Sequence, residues 1–515
     1  VRIRKKAMKE FISRSKIPPL SVSAIWEPGD PVGYISKKRD ISGFKLPIIS
    51  GKRYNLEIPD TLDLAERARI GLNVLTRNTD PNCDYFIYFW FFSTNPPLMA
   101  HDSSDVVGTK FIESRPLLRL ITGDELDIKV DTVQLKSYLR MLDDDNVIKE
   151  PVKGRPWVRL GMGSGGIKHN LELKEQYIAV FMMGRLLGAF TLYYILTKDL
   201  KWRKMGERIV DGLKKMAVYR DDFAFYECCF YDQDAQVDQD CPMAKGQDSQ
   251  ISFWILQGLA QFYRATNYEP AKKHAKKLVK YIRWYSGLYD NGKFTGYGHF
   301  HIHTIGLLAM VEYGLAVGDE ELLKFTCKCY EDARTKGIDL IGYFPELYDY
   351  PDSTHESCEA ADMIGIATKL SLAGIADYWD DADRYIRNHF TEGQLLNGDW
   401  IYKLVENRSR TNIGLNETDK NAVERNIGGF ASFMSPNEWW YDKQESWSSA
   451  MGSGALIAHC CTGNGTRGIY YAWESIVQFK NDKLKINLLL NHSSQWADII
   501  SYIPYSGRVD IHIKK

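Results

Sequence analysis

Apolar and polar positions along the chain fall into a repeated pair of helical patterns. An apolar helix ends in a short turn, and a helix with one apolar face and one Lys/Glu-rich face follows it. The layout runs through residues 190–196, the turn Thr197-Lys198-Asp199 and residues 201–216. It returns at 258–265, Thr266-Asn267 and 270–285, and again at 307–316, Val317-Gly318-Asp319 and 321–333. Residues 363–376 and 381–389 form a weaker fourth copy. Helix hairpins recurring every roughly 50 to 70 residues mark a helical solenoid or a closed toroid. An apolar helix beside an amphipathic one predicts two concentric layers, the apolar helices inside.

With further helices at 62–75 and 130–142 and one after Cys461, the pattern fills about six pairs and predicts an (α/α)6 barrel over residues 61–475. An open solenoid would need polar caps and a smoother period, and the sequence has neither. Residues 1–60 are rich in Pro, Gly and β-branched residues; they predict irregular structure with short strands at 47–49 and 54–58, wrapped on the barrel. From 476 to 515 the apolar period changes to two, at 483–490, 499–503 and 508–513, which predicts strands. So short a stretch makes a small sheet on the toroid or the opening of a truncated β-domain.

Composition narrows the function. Lys plus Arg and Asp plus Glu both number 66, and no basic stripe is present, so the electrostatic footprint of a nucleic-acid or anionic-membrane binder is missing. The apolar run 177–197 is long enough for a bilayer, but Arg185 near its middle and the small residues Gly184, Gly188 and Ala189 predict a buried helix. The 13 Trp, 30 Tyr and 22 Phe lean towards a carbohydrate partner, since aromatic faces stack on sugar C–H faces. Nine cysteines without small-domain spacing fit a reducing compartment, so the cytoplasm is the default location. A signal peptide removed before Val1 stays compatible with this. A homodimer is the one assembly left open.

Candidate chemistry lies in His459-Cys460-Cys461-Thr462-Gly463-Asn464-Gly465-Thr466-Arg467 and in Glu356-Ser357-Cys358. Adjacent cysteines in an extended or turn segment can reach one metal; with a third thiolate and a carboxylate they make a Cys3Glu set suited to zinc. Cysteine pairs are also ordinary packing, and Cys228-Cys229, with Cys241 nearby, is read that way. Gly161-Met162-Gly163-Ser164-Gly165-Gly166 matches a dinucleotide-binding pattern but lacks the βαβ context and is read as a loop.

Cys460-Cys461-x-x-Asn464-x-x-Arg467 running into a helix, with Glu356-x-Cys358 about a hundred residues earlier, resembles glycoside hydrolase family 127, the β-L-arabinofuranosidases and their relatives. Gly298-His299 before an apolar helix and the turn Gly318-Asp319-Glu320-Glu321 are similar to the family too. The resemblance spans roughly residues 175 to 515. It implies an (α/α)6 catalytic barrel and retaining hydrolysis of a plant or algal glycan fragment. In that reading Cys460 is the nucleophile, and Glu356, Cys358 and Cys461 complete a zinc shell with it.

The resemblance also implies a glutamate acid/base in a loop that here reads Tyr348-Asp349-Tyr350-Pro351; Glu346 is the nearest glutamate, with Asp349 and Asp352 as rivals. His299 would bind a sugar hydroxyl or orient the site, with His301 and His303 as further candidates. Trp254 stands where many relatives carry a histidine, replacing a hydrogen-bonding ring with a stacking one. Asn464 and Arg467 would support the ligands, Arg467 pairing with Glu474 or binding an anionic sugar. Two other readings use the same toroid: a carbohydrate-binding scaffold with structural zinc, and an epimerase or lyase relying on His and Tyr bases.

Overall fold

The computed structural model describes residues 41–514 apart from 42–43, 45, 50, 55, 84, 102–106, 153–175, 297, 350–353 and 440–453. The Gly161–Gly166 motif and Asp352 lie outside the described residues. Twelve of the described helices build the body: α1 (Leu64–Arg77), α2 (Gly108–Thr122), α3 (Lys129–Met141), α4 (Val180–Thr197), α5 (Leu200–Lys215), α6 (Ile251–Thr266), α7 (Glu269–Trp284), α8 (Phe300–Val317), α9 (Glu320–Arg334), α10 (Ser357–Leu372), α11 (Trp379–Tyr385) and α12 (His459–Ile476).

The even-numbered helices pack each on the next, α2 to α4 and onward to α12, and α12 returns to α2, closing a ring. The odd-numbered helices from α3 on lie outside it, each against the ring helix that precedes it, and α1 spans α12 and α2. The burial contrast explains the layers. On α8 every residue from Phe300 to Gly314 is buried, whereas α5 and α7 bury only one stripe and leave their lysines and arginines outward. The hairpin turns share one device: the residues closing α2, α4, α6 and α8 (Gly123, Lys198, Asn267 and Gly318) are all left-handed, and Asp199 and Asp319 then cap α5 and α9. Close approach of α4 and α6 depends on glycine, since a Cβ at Gly258 would lie 2.1 Å from the carbonyl oxygen of Gly184.

Ring helix α2 carries no helical signature in the sequence. Pro116 interrupts it, and Lys110, Glu113, Arg115 and Arg119 break its apolar run, yet all four are buried. Arg185, the residue that argued against a bilayer span, points into the same interior and bonds Gln257 at 2.6 Å and Glu113 at 3.4 Å. Helices α4 and α8 are both long and apolar enough to cross a membrane, and both are buried ring members.

Two expectations change. The strands expected at 47–49 and 54–58 are unpaired extended chain wherever described; Pro47 and Pro59 donate no hydrogen bond, and the backbone instead leans on α2 through Gly51 N–H to Arg119 O, 2.9 Å. The paired cysteines occupy the first turn of α12, directly after the strand Ala455–Ala458, and not an extended or turn segment. That strand belongs to a four-stranded sheet with Trp90–Phe92, Leu98–Ala100 and Glu417–Thr418. The C-terminal strands are present: the hairpin Val477–Lys480/Lys483–Ile486 and a three-stranded antiparallel sheet of His492–Ser493, Ala497–Ser501 and Val509–Ile513. Ile499 and Leu490 enter the main core, and Asn491 bonds Thr61 and Leu62 just before α1.

Candidate active site

Because inner and outer helices alternate as hairpins, the ring helices run in one direction and their N-termini converge on one mouth. Lys110 of α2 and Phe181 of α4 both face Trp254 of α6, while His299, Glu356 and the thiols tie together the starts of α8, α10 and α12. Six helix N-termini there bring partial positive charge, a setting that favours anions and lowers thiol pKa.

Each functional side chain is fixed by local bonding. Glu356 caps α10, accepting from the backbone of Glu359 while the Glu359 carboxylate accepts from Glu356 N–H. Ser357 ties that turn to Ala431 at 2.8 Å. Before the cysteine pair, the Ser432 hydroxyl donates to Ala458 O and accepts from Ala458 N–H, and His459 N–H bonds Phe89 O. Glu346 arrives on a segment bridged to the start of α8 through Phe300 N–H to Glu346 O, 2.8 Å, and Tyr348 N–H to Gly298 O, 3.0 Å.

The sulfurs of Cys358 and Cys461 are 3.5 Å apart, those of Cys460 and Cys461 3.9 Å, and Cys461 Sγ is 3.9 Å from Glu356 Oε1. Sulfurs sharing one tetrahedral zinc stand about 3.8 Å apart, given Zn–S bonds of about 2.3 Å. The three thiols therefore have the spacing of zinc ligands, and Glu356, 3.9 Å from Cys461 and grouped with His299 and Glu346, is the nearest carboxylate to serve as a fourth. Beside it, ligating atoms of His299, Glu346 and Glu356 lie within 4.8 Å of one another, with His299 Nε2 3.2 Å from Glu356 Oε2.

The protonation pattern divides the work. Hydrogen bonds from Cys358 and Cys461, then the charges of Lys110 and His301, hold the Cys460 thiol well below its ordinary range. Burial pushes Cys358 and Cys461 well up. Burial, then the neighbouring Glu356 charge, raises Glu346 well above the usual carboxylate range, and Thr354 Oγ1 donates to its Oε2 at 3.0 Å. A thiol with a lowered pKa and a carboxyl with a raised one thus face the same mouth, a pairing suited to a nucleophile and an acid.

The structure brings Cys460, Glu346, His299, Trp254, Glu356, Cys358 and Cys461 together at this mouth. His301 and Arg467 lie beneath it. His301 Nδ1 is 2.8 Å from Asp362 and its Nε2 3.3 Å from Asn464. Arg467, about 10 Å down α12 from Cys460 by helical rise, turns to Gln257, Glu113 and Asp362 instead of Glu474. His303 sets its two ring nitrogens against the carbonyls of His299 and Thr295, and burial lowers its pKa to about 4. Asp349 is exposed and backs onto Gly298, where a Cβ would meet its Oδ1 at 2.0 Å. Lys110, Glu113, Gln257 and Asp362 were not legible as site residues; of this interior layer only Arg185 announces itself, as a charge in an apolar run.

No protein-family model matches the chain, and no curated protein matches it by sequence. Solved structures match it by fold. A GH127 β-L-arabinofuranosidase from Geobacillus stearothermophilus T6 superposes with a TM-score of 0.51 at 14% identity, over 88% of this chain and 67% of its own. A second GH127 β-arabinofuranosidase gives 0.51 at 16% identity, over 87% and 64%. Cellobiose 2-epimerase from Bacillus thermoamylovorans B4167 gives 0.51 at 10% identity, over 79% and 98%. The chain thus spans about two thirds of the length of the two arabinofuranosidases, and what it shares with all three proteins is the fold, an α/α toroid.

Proposed function

We propose that this chain is a zinc-dependent retaining glycoside hydrolase built on an (α/α)6 barrel, with Cys460 as nucleophile and Glu346 as acid and base, acting on a plant or algal glycan fragment as β-L-arabinofuranosidases do. The observation that carries the reading is the cluster of three thiols, with the Glu356 carboxylate 3.9 Å from Cys461, beside a buried Glu346 whose pKa is raised. Fold likeness to two GH127 enzymes supports it. Glu356, Cys358, Cys460 and Cys461 would hold the zinc, which when bound supplies the charge that keeps thiols ionised at neutral pH.

In the first step the Cys460 sulfur bonds the anomeric carbon, the bond from that carbon to the leaving oxygen breaks, and Glu346 delivers its proton to that oxygen. In the second, a water gives a proton to the Glu346 carboxylate and its oxygen displaces the sulfur, restoring the thiolate. Two inversions retain the anomeric configuration. His299 holds Glu356 and, half-buried, offers a contact to the sugar; Trp254 offers a stacking face. His301 and Arg467 brace the helices that carry the sulfurs.

The test is a screen of aryl furanosides and pyranosides with the zinc-loaded protein, following product anomer by NMR and the trapped adduct by mass spectrometry. Retained configuration and a glycosyl mass on the Cys460 peptide are expected. An inverted product, or an adduct elsewhere, would reject the mechanism. The epimerase reading draws on the match to cellobiose 2-epimerase, and a 2-epimerised sugar in the same screen would favour it.

A further inference from the structure

Among the described residues, five Lys and Arg side chains are buried: Lys110, Arg115, Arg119, Arg185 and Arg467. Four pair with carboxylates, Arg115 and Arg119 with Asp131 and Arg185 and Arg467 with Glu113. Lys110 is 5% exposed, and its side chain has neither an ion pair nor a hydrogen bond among the described residues. An ammonium largely held from water is costly unless anions face it; the Cys460 thiol and Glu113 lie within reach of its charge, and an anion bound at the mouth would face it as well.

Its position is built. The Lys110 stem runs across the first turn of α12 at Gly463, where a Cβ would lie 2.7 Å from Lys110 Cβ and 3.3 Å from its Cδ. A side chain at that position would displace the stem. The ammonium then sits 5.6 Å from the centre of the Trp254 ring, a contact that offsets part of the desolvation. Trp254 is half-buried, with Phe181 packed at its ring, and its Nε1–H is buried without a hydrogen-bond partner among the described residues. A cation and a half-buried aromatic ring therefore meet at the mouth, with the cation close enough to Cys460 to bear on its thiol.

We propose that Lys110 and Trp254 form the recognition element for an anionic sugar, the indole stacking on the ring and the ammonium pairing with a carboxylate or sulfate substituent. The inference rests on the glycosidase reading for the place of the substrate, but not for its own readout. A neutral sugar can stack on the indole, yet its hydroxyls do not neutralise the ammonium; a charge-assisted hydrogen bond adds about tenfold or more in affinity.

The test is equilibrium binding, by calorimetry and tryptophan fluorescence, of D-galactose, D-galacturonate and D-galactose 6-sulfate to zinc-loaded protein. Tighter binding of either acid by about tenfold, weakening as salt is raised, is the expected result; which acid prevails identifies the substituent. Lys110→Met removes the preference, and Lys110→Arg retains it in part. Equal affinity for all three sugars in the wild type, or a preference that survives Lys110→Met, would overturn the proposal. Zinc loss in Lys110→Met together with equal wild-type affinities would mark Lys110 as a counter-charge to the thiols alone. Binding needs no turnover, so a preference for acids in a protein that hydrolyses nothing would leave this inference standing while the glycosidase reading fell.

Discussion

The chain places cysteines side by side twice, and the two pairs have opposite fates. Cys460 and Cys461 stand in the first turn of a ring helix, with Cys358 and Glu356 arriving from the start of the next. Cys228 and Cys229 lie in the segment before the strand Phe230–Asp232, buried with Cys241 in the main core. Cys228 Sγ donates to Phe230 O at 3.2 Å, and burial drives the Cys229 thiol well above its ordinary value. Among the described residues, the groupings able to hold a metal are Cys358/Cys460/Cys461 and His299/Glu346/Glu356, and the second pair enters neither. Adjacency alone separates nothing; what sets the ring-helix pair apart is its place among converging helix N-termini beside a carboxylate, the setting that lowers thiol pKa and gathers metal donors.

The largest expected separation between the regions is in turnover. Cys460→Ser should lose at least about a thousandfold in kcat while the circular dichroism spectrum holds, because a serine hydroxyl is no substitute for a thiolate. Glu346→Gln should lose roughly a hundred- to ten-thousandfold on alkyl glycosides and much less on aryl glycosides with good leaving groups. A uniform loss across leaving groups would remove Glu346 from the acid's role. Cys358→Ser should weaken zinc binding by roughly tenfold or more, measured by competition with a chelator.

The packed region has its own pH signature. His274 on α7, 2.8 Å from the Tyr226 hydroxyl near the second pair, is held neutral by burial with its pKa lowered to about 3. Its folded value lies below the unfolded one of about 6.5. Stability from this group is therefore full above pH 6.5 and falls by up to about 1.4 kcal/mol per unit as pH drops towards 3. Thermal melts of wild type and His274→Gln should converge as pH falls from neutral; parallel curves would show that His274 contributes no such dependence. The smallest effect is expected at Cys228→Ala, about 1–2 kcal/mol of stability with zinc content and turnover unchanged.

The helix hairpins were legible because each apolar ring helix differs sharply from its amphipathic partner, and turns at Asp199 and Asp319 announce themselves as caps. The candidate metal donors were legible because three cysteines and a glutamate fall in two short motifs. Helix α2 was not: its buried charges are satisfied only across the ring, as Arg119 by Asp131 of α3 at 2.8 Å, and one-dimensional periodicity reads them as surface. Lys110 stayed hidden for the same reason, since its meaning lies in Gly463 and Trp254, more than a hundred residues away in sequence. Placing the cysteines in an extended segment failed because Gly463 and Gly465 read as turn residues, whereas both serve close packing, Gly463 on Lys110 and Gly465 on Phe430.

Elemental analysis of the reduced, purified protein tests the central claim most directly, with wild type, Cys358→Ser and Cys228→Ser measured side by side. The account predicts about one zinc per chain in wild type and in Cys228→Ser, and its loss in Cys358→Ser, from one tetrahedral set of four donors. Wild-type protein without zinc, or zinc that follows Cys228 and ignores Cys358, would contradict it.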